Sequence, residues 1–353
     1  MNDDDQRPKT KDQKPIDWDS ARRILVIRLR SIGDTVLSTP SLIAMRRFLP
    51  EAQIDVLLEE WVAPLLDNFT DIDNVIRVGK SEIDRLKVAW QLRRNSYDVV
   101  FNLHGGTTST MLARATGASH RVGYEEYQYS SFYTHKPVPS SEFWKREKTH
   151  SAEQQLALLG GVGVPVQDLP RTRLDVSLDA VRSLAKKFEP DSNYALLHPA
   201  SLFHTKQWSA KDFACVAEYL AGRGFKIAAV ASSTENAVLD ALRQESAVPI
   251  NIFDDLSLPE ITALASGASV FVGNDSGVAH IAAAVNTPTV VIFGSSNRDH
   301  WRPWTDAPNE IVFNRFECQP CPGYECAVYG EPKCILSVSS DQVIAAIDRV
   351  LAM

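Results

Sequence analysis

Three short segments carry residues whose types and spacing suit chemistry on an anionic ligand. The first is Arg30-Ser31-Ile32-Gly33-Asp34, directly behind the apolar run 24–29. Gly33 permits a tight turn, and Asp34 then stands where the run ends. There it is either a helix N-cap, worth about 1 kcal/mol, or a carboxylate placed to take a proton. No GxGxxG pattern stands here, so the fingerprint of a nicotinamide dinucleotide enzyme is missing.

The second segment is Gly273-Asn274-Asp275-Ser276-Gly277-Val278-Ala279-His280, which reads as strand, turn and helix. Asp275 and Ser276 fall at a helix N-terminus, where free N–H groups and the dipole favour a phosphate. Gly277 lets a ligand approach the backbone, and His280 lies about one turn further on. The bland alternative is an ordinary cap followed by a packed histidine. The third segment runs from His198-Pro199-Ala200-Ser201 to Lys206-Gln207-Trp208. A hydroxyl at Ser201 and a point charge at Lys206 suit a diphosphate, while a solvated loop is the plain alternative. Further cations, Arg114, Arg121 and Lys136, together with His104, are either partners for an acidic second substrate or surface charges. The run Trp144-Lys145-Arg146-Glu147-Lys148 is a poor membrane patch because Glu147 interrupts it.

Cys318, Cys321, Cys326 and Cys334 follow a C-x2-C-x4-C-x7-C spacing that a structural zinc or an iron–sulfur cluster would accept. Only the first pair has the two-residue spacing of a zinc knuckle. A structural zinc or iron–sulfur cluster is therefore kept as the minor reading of this loop. Cys215, on a predicted helix, is read as core.

The elements that must position these residues alternate along the chain. Strands are expected at 24–29, 54–58, 74–78 and 97–103, with amphipathic segments at 61–69, 86–94 and 108–117 between them. The pattern blurs over 124–144, a helix follows at 151–160, and 166–176 reads as a linker. Alternation resumes with strands at 194–198, 225–231, 249–253, 269–273 and 289–294, and with helices at 211–221, 236–245, 258–265, 278–285 and 341–351. Near-continuous apolar strands alternating with helices mean parallel sheets covered on both faces. The expectation is two Rossmann-like domains facing across a cleft: 21–180 and 181–353, behind a solvated, disordered tail over 1–20. In such sheets ligands bind beyond the carboxyl ends of the strands, which is where the three segments fall.

Composition supports this. A chain of 353 residues, 44% hydrophobic and 23% charged, has material for two cores. The formal charge of −7 provides no global field for nucleic acid. No apolar window approaches the ~18 residues of a transmembrane helix, and the Asp- and Lys-rich N-terminus has no signal-peptide core. Few cysteines and no export signal point to the cytoplasm.

Together the three segments, with the Pro288 to Gly294 stretch (P-T-V-V-I-F-G), resemble glycosyltransferase family 9, the ADP-heptose:lipopolysaccharide heptosyltransferases. Arg121-Val122-Gly123-Tyr124 and 150–164 also look familial, so the resemblance runs from residue 24 to the C-terminus. It implies an α/β GT-B fold with an acceptor domain, then a donor domain. It further implies an inverting, metal-independent transfer of heptose from ADP-heptose to the lipid-anchored core oligosaccharide of lipopolysaccharide. By resemblance Asp34 is the catalytic base. Ser201, Lys206, Asp275, Ser276, Gly277 and His280 bind the donor, Glu235 meets its ribose, and Leu256 flanks its adenine. Where the family pattern has a second Ser or Thr in the diphosphate loop, this chain has Ala200. His104, Arg114 and Arg121 are the acceptor-side candidates, and peripheral contact with the inner membrane is compatible with such an acceptor. Two rival readings keep the fold: transfer from another nucleotide sugar or to a different glycan, and a non-catalytic nucleotide-sugar binding protein. Asp34 argues against the second.

Overall fold

The computed structural model describes residues 15–188, 193–321 and 323–353. The chain divides into two compact units, 1–172 and 173–353. Most of the expected tail, residues 1–14, lies outside the described residues, as do residues 189–192 within the expected boundary region.

In the first unit the strands are β1 (Arg23–Ile27), β2 (Gln53–Glu59), β3 (Asn74–Val78), β4 (Val99–Asn102) and β5 (His120–Val122). All pair parallel, in the order β3-β2-β1-β4-β5. Strand β1 is central, and its Ile24 pairs with Ile54 on one side and Val99 on the other. Ile24, Leu25, Val26 and Ile27 are all buried, as expected for a strand covered on both faces. The helices Glu82–Arg94 and Thr107–Ala115 cover one face through Val88, Leu92, Leu112 and Ala113.

The second unit repeats the architecture with β6 (Tyr194–His198), β7 (Lys226–Val230), β8 (Ile250–Phe253), β9 (Val270–Asn274), β10 (Thr289–Ile292) and β11 (Asn309–Val312). Its order is β11-β10-β9-β6-β7-β8, again all parallel. Trp208 anchors its core at 1% exposure, packed edge-on against Phe213, and its indole N–H donates to the Val338 carbonyl at 2.8 Å. A buried indole needs such a partner.

Several expectations are revised. The segment 61–69 forms only a 3-10 turn, Ala63–Leu66, because Pro64 removes a donor and Asp67-Asn68 follow at once. Strands β5 and β11 are additional to the strands expected from the sequence. They are short edge strands with polar residues, and they carry no apolar run. The units part before 180: the Leu174 N–H donates to the Ala284 carbonyl at 3.1 Å, and the helix Leu178–Ala185 packs on Leu258–Ser266. The expected linker is thus divided, with 166–172 in the first unit and 173–176 in the second.

At the N-terminus, Trp18 is part of the fold. Its ring stacks on Phe101 and meets Phe48 edge-on, and its N–H donates to the Val162 carbonyl at 3.0 Å. Replacing Trp18 with Ala removes a partly buried aromatic and a hydrogen bond. We expect a loss of about 2 kcal/mol in unfolding free energy, read by denaturant titration. An unchanged midpoint would show that this contact adds nothing to the first unit.

Candidate functional site

Both sheets are built with one reversal of strand order, and the candidate residues cluster at these reversals. In the first unit the chain adds β2 and β3 on one side of β1, then returns to place β4 on the other. The loops after β1 and β4 therefore leave in different directions, and the crevice at that point is where open α/β sheets bind ligands. Asp34 follows β1 and His104 follows β4. In the second unit the reversal lies between β6 and β9. The loop from Ser201 to Lys206 follows β6, and Asp275 to His280 follow β9.

Asp34 sits in the first turn of the short helix Ile32–Val36 and is 23% exposed. One carboxylate oxygen forms an ion pair with Arg28; the other accepts from the Ser31 hydroxyl at 3.0 Å and, at 3.4 Å, from the Ser31 N–H. The capping reading is thus part of the answer, but it leaves room for chemistry. A carboxylate offers about four lone-pair sites, and an incoming hydroxyl can use one that these contacts leave. Arg28 also donates to the Leu103 carbonyl, which ties the end of β1 to the end of β4. Burial pushes the His104 imidazole down to about 4, and the Arg28 guanidinium adds to the effect. His104 is therefore neutral near pH 7 and would meet a substrate as a hydrogen-bonding group, not as a cation.

Arg121 is held by the protein's own backbone: its Nε donates to the Phe132 carbonyl at 2.8 Å, and a terminal nitrogen donates to the Ala118 carbonyl. Burial, with Arg114 nearby, lowers its pKa. Arg114 is exposed and stands 5.9 Å from the centre of the Phe132 ring. Lys136 pairs with Glu125 at 2.7 Å. Of these cations, Arg114 is the one most open to solvent.

In the second unit Lys206 Nζ lies 2.8 Å from Asp275 Oδ2, and the Ser296 hydroxyl donates to the same oxygen. Asp275 is 5% exposed, so its charge needs these partners. Asn274, fully buried, joins the two loops: its Oδ1 accepts from the Trp208 N–H at 3.1 Å, and its Nδ2 donates to the Pro199 carbonyl at 2.8 Å. Gly294 permits the close approach of the next strand end, because a Cβ there would run into the Thr205 carbonyl oxygen. Gly277 opens the helix Gly277–Ala284, in which His280 is buried. The Ser276 hydroxyl at its N-cap has no hydrogen-bond partner among the described residues. Ser201 is partly buried in the loop that carries Lys206.

The remaining donor candidates lie further along the same sheet edge. Glu235, after β7, accepts from the Ser232 N–H at 3.0 Å and from the Ser232 hydroxyl at 2.6 Å, so it caps its own turn. Leu256, after β8, is partly buried. His198, the first residue of its motif, pins β6 to β7 through Nδ1, 2.7 Å from the Val230 carbonyl oxygen; burial lowers its pKa. Arg28, directly after β1, and Ser296, in the loop after β10, carry no signal in the sequence, and Asn274 stands inside the Gly273 to His280 motif without an assigned role; none of the three positions has a periodic pattern.

The four-cysteine loop has Cys318, Cys321 and Cys326 partly buried and Cys334 buried, all as free thiols. Burial raises the Cys334 thiol pKa, and the other three cysteines add to it. Among the described residues no group of three or more His, Cys, Asp or Glu side chains is placed to hold a metal ion. Pro322, inside this loop, lies outside the described residues.

Two Rossmann-like units with polar residues gathered beside their reversal points define an α/β glycosyltransferase fold of the GT-B type. The family model for glycosyltransferase family 9 (heptosyltransferase) matches residues 85–330, and the chain belongs to that family. It is 27% identical over 344 residues to lipopolysaccharide heptosyltransferase 3 of Escherichia coli, covering 92% of this chain and 97% of that one. The solved E. coli ADP-heptose lps heptosyltransferase II superposes with a TM-score of 0.77 at 23% identity, over 94% of this chain and 98% of that one. The E. coli heptosyltransferase WaaC with ADP-2-deoxy-2-fluoro heptose superposes with a TM-score of 0.68 at 19% identity, over 92% and 99%.

The His104 environment has a measurable consequence. Between the ordinary imidazole value of 6.5 and about 4, the unfolded chain holds a proton at this position that the folded chain does not. Stability contributed by neutral His104 is therefore present above pH 6.5 and lost as pH falls toward 4. Thermal melts of His104→Asn should show a smaller drop between pH 7 and pH 5 than the parent. An equal drop would mean that the imidazole protonates freely in the folded state.

Proposed function

We propose that this protein transfers a heptose from ADP-heptose to a hydroxyl of the lipid-anchored core oligosaccharide of lipopolysaccharide, with inversion at the anomeric carbon. The observation that carries the reading is the placement of a carboxylate, Asp34, and a cation-bearing loop at a helix N-terminus, Lys206 with Asp275 to His280, each at a strand-order reversal. The names of the relatives supply the sugar and the acceptor class.

In this mechanism the acceptor hydroxyl approaches Asp34, which takes its proton as the oxygen attacks the anomeric carbon. The bond from that carbon to the diphosphate breaks, and charge grows on the departing ADP. Lys206, Ser201, the Ser276 hydroxyl and the N-terminus of the Gly277–Ala284 helix meet that charge. Lys206 already carries a carboxylate partner, so a bound diphosphate would share or displace Asp275 at the ammonium. His280 lies on the same helix, and Glu235 and Leu256 flank the nucleoside. Arg114 and neutral His104 face the acceptor's anionic groups and hydroxyls. The reaction belongs to the cytoplasmic side of a membrane, because the acceptor is lipid-anchored and the donor is a soluble nucleotide. Among the described residues no helix is long and apolar enough to cross a membrane.

Asp34→Asn keeps the shape of the side chain and removes the base. Turnover should fall by about 10²- to 10⁴-fold while ADP affinity is retained. Lys206→Gln, which leaves Asp275 a hydrogen-bond donor, should instead weaken ADP binding by roughly 1–3 kcal/mol, read by calorimetry. Near-normal turnover in the first variant would return Asp34 to its capping role. Unchanged ADP binding in the second would remove Lys206 from the donor site. A panel of ADP-, UDP- and GDP-sugars, followed by mass spectrometry of the released nucleotide, separates ADP-heptose from the rival donors.

Transfer should also survive EDTA, because in the proposed mechanism Lys206 and the helix N-terminus meet the diphosphate charge that a divalent ion would otherwise bridge. Circular dichroism must accompany the assay, since a metal held by the cysteine loop would be stripped at the same time. Activity lost with the fold intact, then restored by Mg²⁺ or Mn²⁺, would overturn the metal-free mechanism.

A further inference from the structure

The helix Glu82–Arg94 presents an apolar stripe to solvent. Val88 and Leu92 are its buried side and belong to the core of the first unit. On the outward side, Ile83, Leu86 and Trp90 are 65%, 71% and 64% exposed. With 3.6 residues per turn, these three positions fall within one stripe roughly 60° wide. Lys87 and Arg94 lie along one border of the stripe and Arg93 along the other. The Arg94 guanidinium stands 4.4 Å from the centre of the Trp90 ring. The acids Glu82 and Asp84 are confined to the first turn, where they complement the helix N-terminus. Asp84 also accepts from the Ser81 hydroxyl at 2.6 Å. The helix Thr107–Ala115 packs beside this one on the same sheet face and adds Met111, 42% exposed, and Arg114.

We propose that this face docks on an anionic lipid bilayer. Aliphatic side chains beside a tryptophan, bordered by Lys and Arg on an exposed helix, form the arrangement that lies in a bilayer interface. Its local positive charge stands against a chain whose formal charge is −7. That charge is attracted to anionic headgroups. The choice of lipid over an acidic protein rests on the reading of the acceptor as lipid-anchored, but its test needs neither donor nor acceptor. Failure here and failure of the transfer reaction are therefore distinct results.

The experiment is co-sedimentation of the full chain with extruded vesicles of phosphatidylglycerol and phosphatidylcholine, or of phosphatidylcholine alone, at low and high salt. The parent should sediment with the anionic vesicles, and salt should weaken the association. The triple variant Ile83→Ser, Leu86→Ser, Trp90→Ser should lose at least about tenfold in partition coefficient, given the apolar area removed. The double variant Lys87→Glu, Arg94→Glu should lose the preference for phosphatidylglycerol. Circular dichroism confirms that both remain folded; the changed side chains are exposed. A parent that stays in the supernatant with both vesicle types would overturn the proposal, as would folded variants that sediment like the parent. So would a parent dimer, seen by light scattering, that the triple variant converts to monomer, since the stripe would then belong to a second copy.

Discussion

Parallel strand pairing that reverses direction beside a central strand is the constraint on which the rest of this protein depends. A parallel neighbour can be reached only by a crossover over one face of the sheet. When the chain has used one side of β1 and must return to the other, the loops after β1 and β4 part, and no crossover covers the gap. The same happens between β6 and β9. Strands buried along nearly all their length, such as β1 and β6, supply the rigidity, and the reversal supplies an opening at their carboxyl ends. Polar side chains that would be costly inside the sheet are accommodated there.

What fixes those side chains is hydrogen bonding of groups that cannot be left alone. Asn274 is fully buried, and both ends of its amide are satisfied by backbone from the loop that follows β6. An unsatisfied buried amide costs about 1–3 kcal/mol, so the loop is held wherever it makes those bonds. The Lys206–Asp275 pair, with Ser296, is a different device. A buried ion pair contributes little net stability because desolvation offsets attraction. Its effect here is geometric: it holds the ammonium beside a helix N-terminus, where an anion would be received. Asp34 is more exposed, and Arg28 ties it to the Leu103 carbonyl rather than to a fully buried network.

The outward face of the helix Glu82–Arg94 follows a separate logic. Its inward side satisfies the core with only Val88 and Leu92 buried, so the fold does not require apolar residues at positions 83, 86 and 90. Their presence beside cations is the feature that the proposed bilayer contact would use. The 144–148 run illustrates the contrast. There the Trp144 indole donates to the Glu153 carbonyl at 2.9 Å, and Arg146 pairs with Glu153, so an aromatic beside basic residues serves the local fold.

The sequence by itself determined the α/β class, the central strands and the segments after them. A strand covered on both faces must be apolar along its length, and that run is visible without tertiary information. It also marked Asp34, Lys206 and the Asp275 to His280 turn as candidates, because small and polar residues directly behind such runs fall at strand ends, where they serve either as caps and loop residues or as ligand contacts. Tertiary structure decided the strand order, since parallel pairing leaves no mark that distinguishes one neighbour from another. It decided that β5 and β11 are strands at all, because edge strands this short are specified by the ladder they join. It showed Trp18 to be packed into the fold and Arg121 to be held by backbone carbonyls. It brought Arg28, Asn274 and Ser296 against the candidate residues and their loops. Their roles consist of contacts with residues distant in the chain, and such contacts exist only once the sheets have formed.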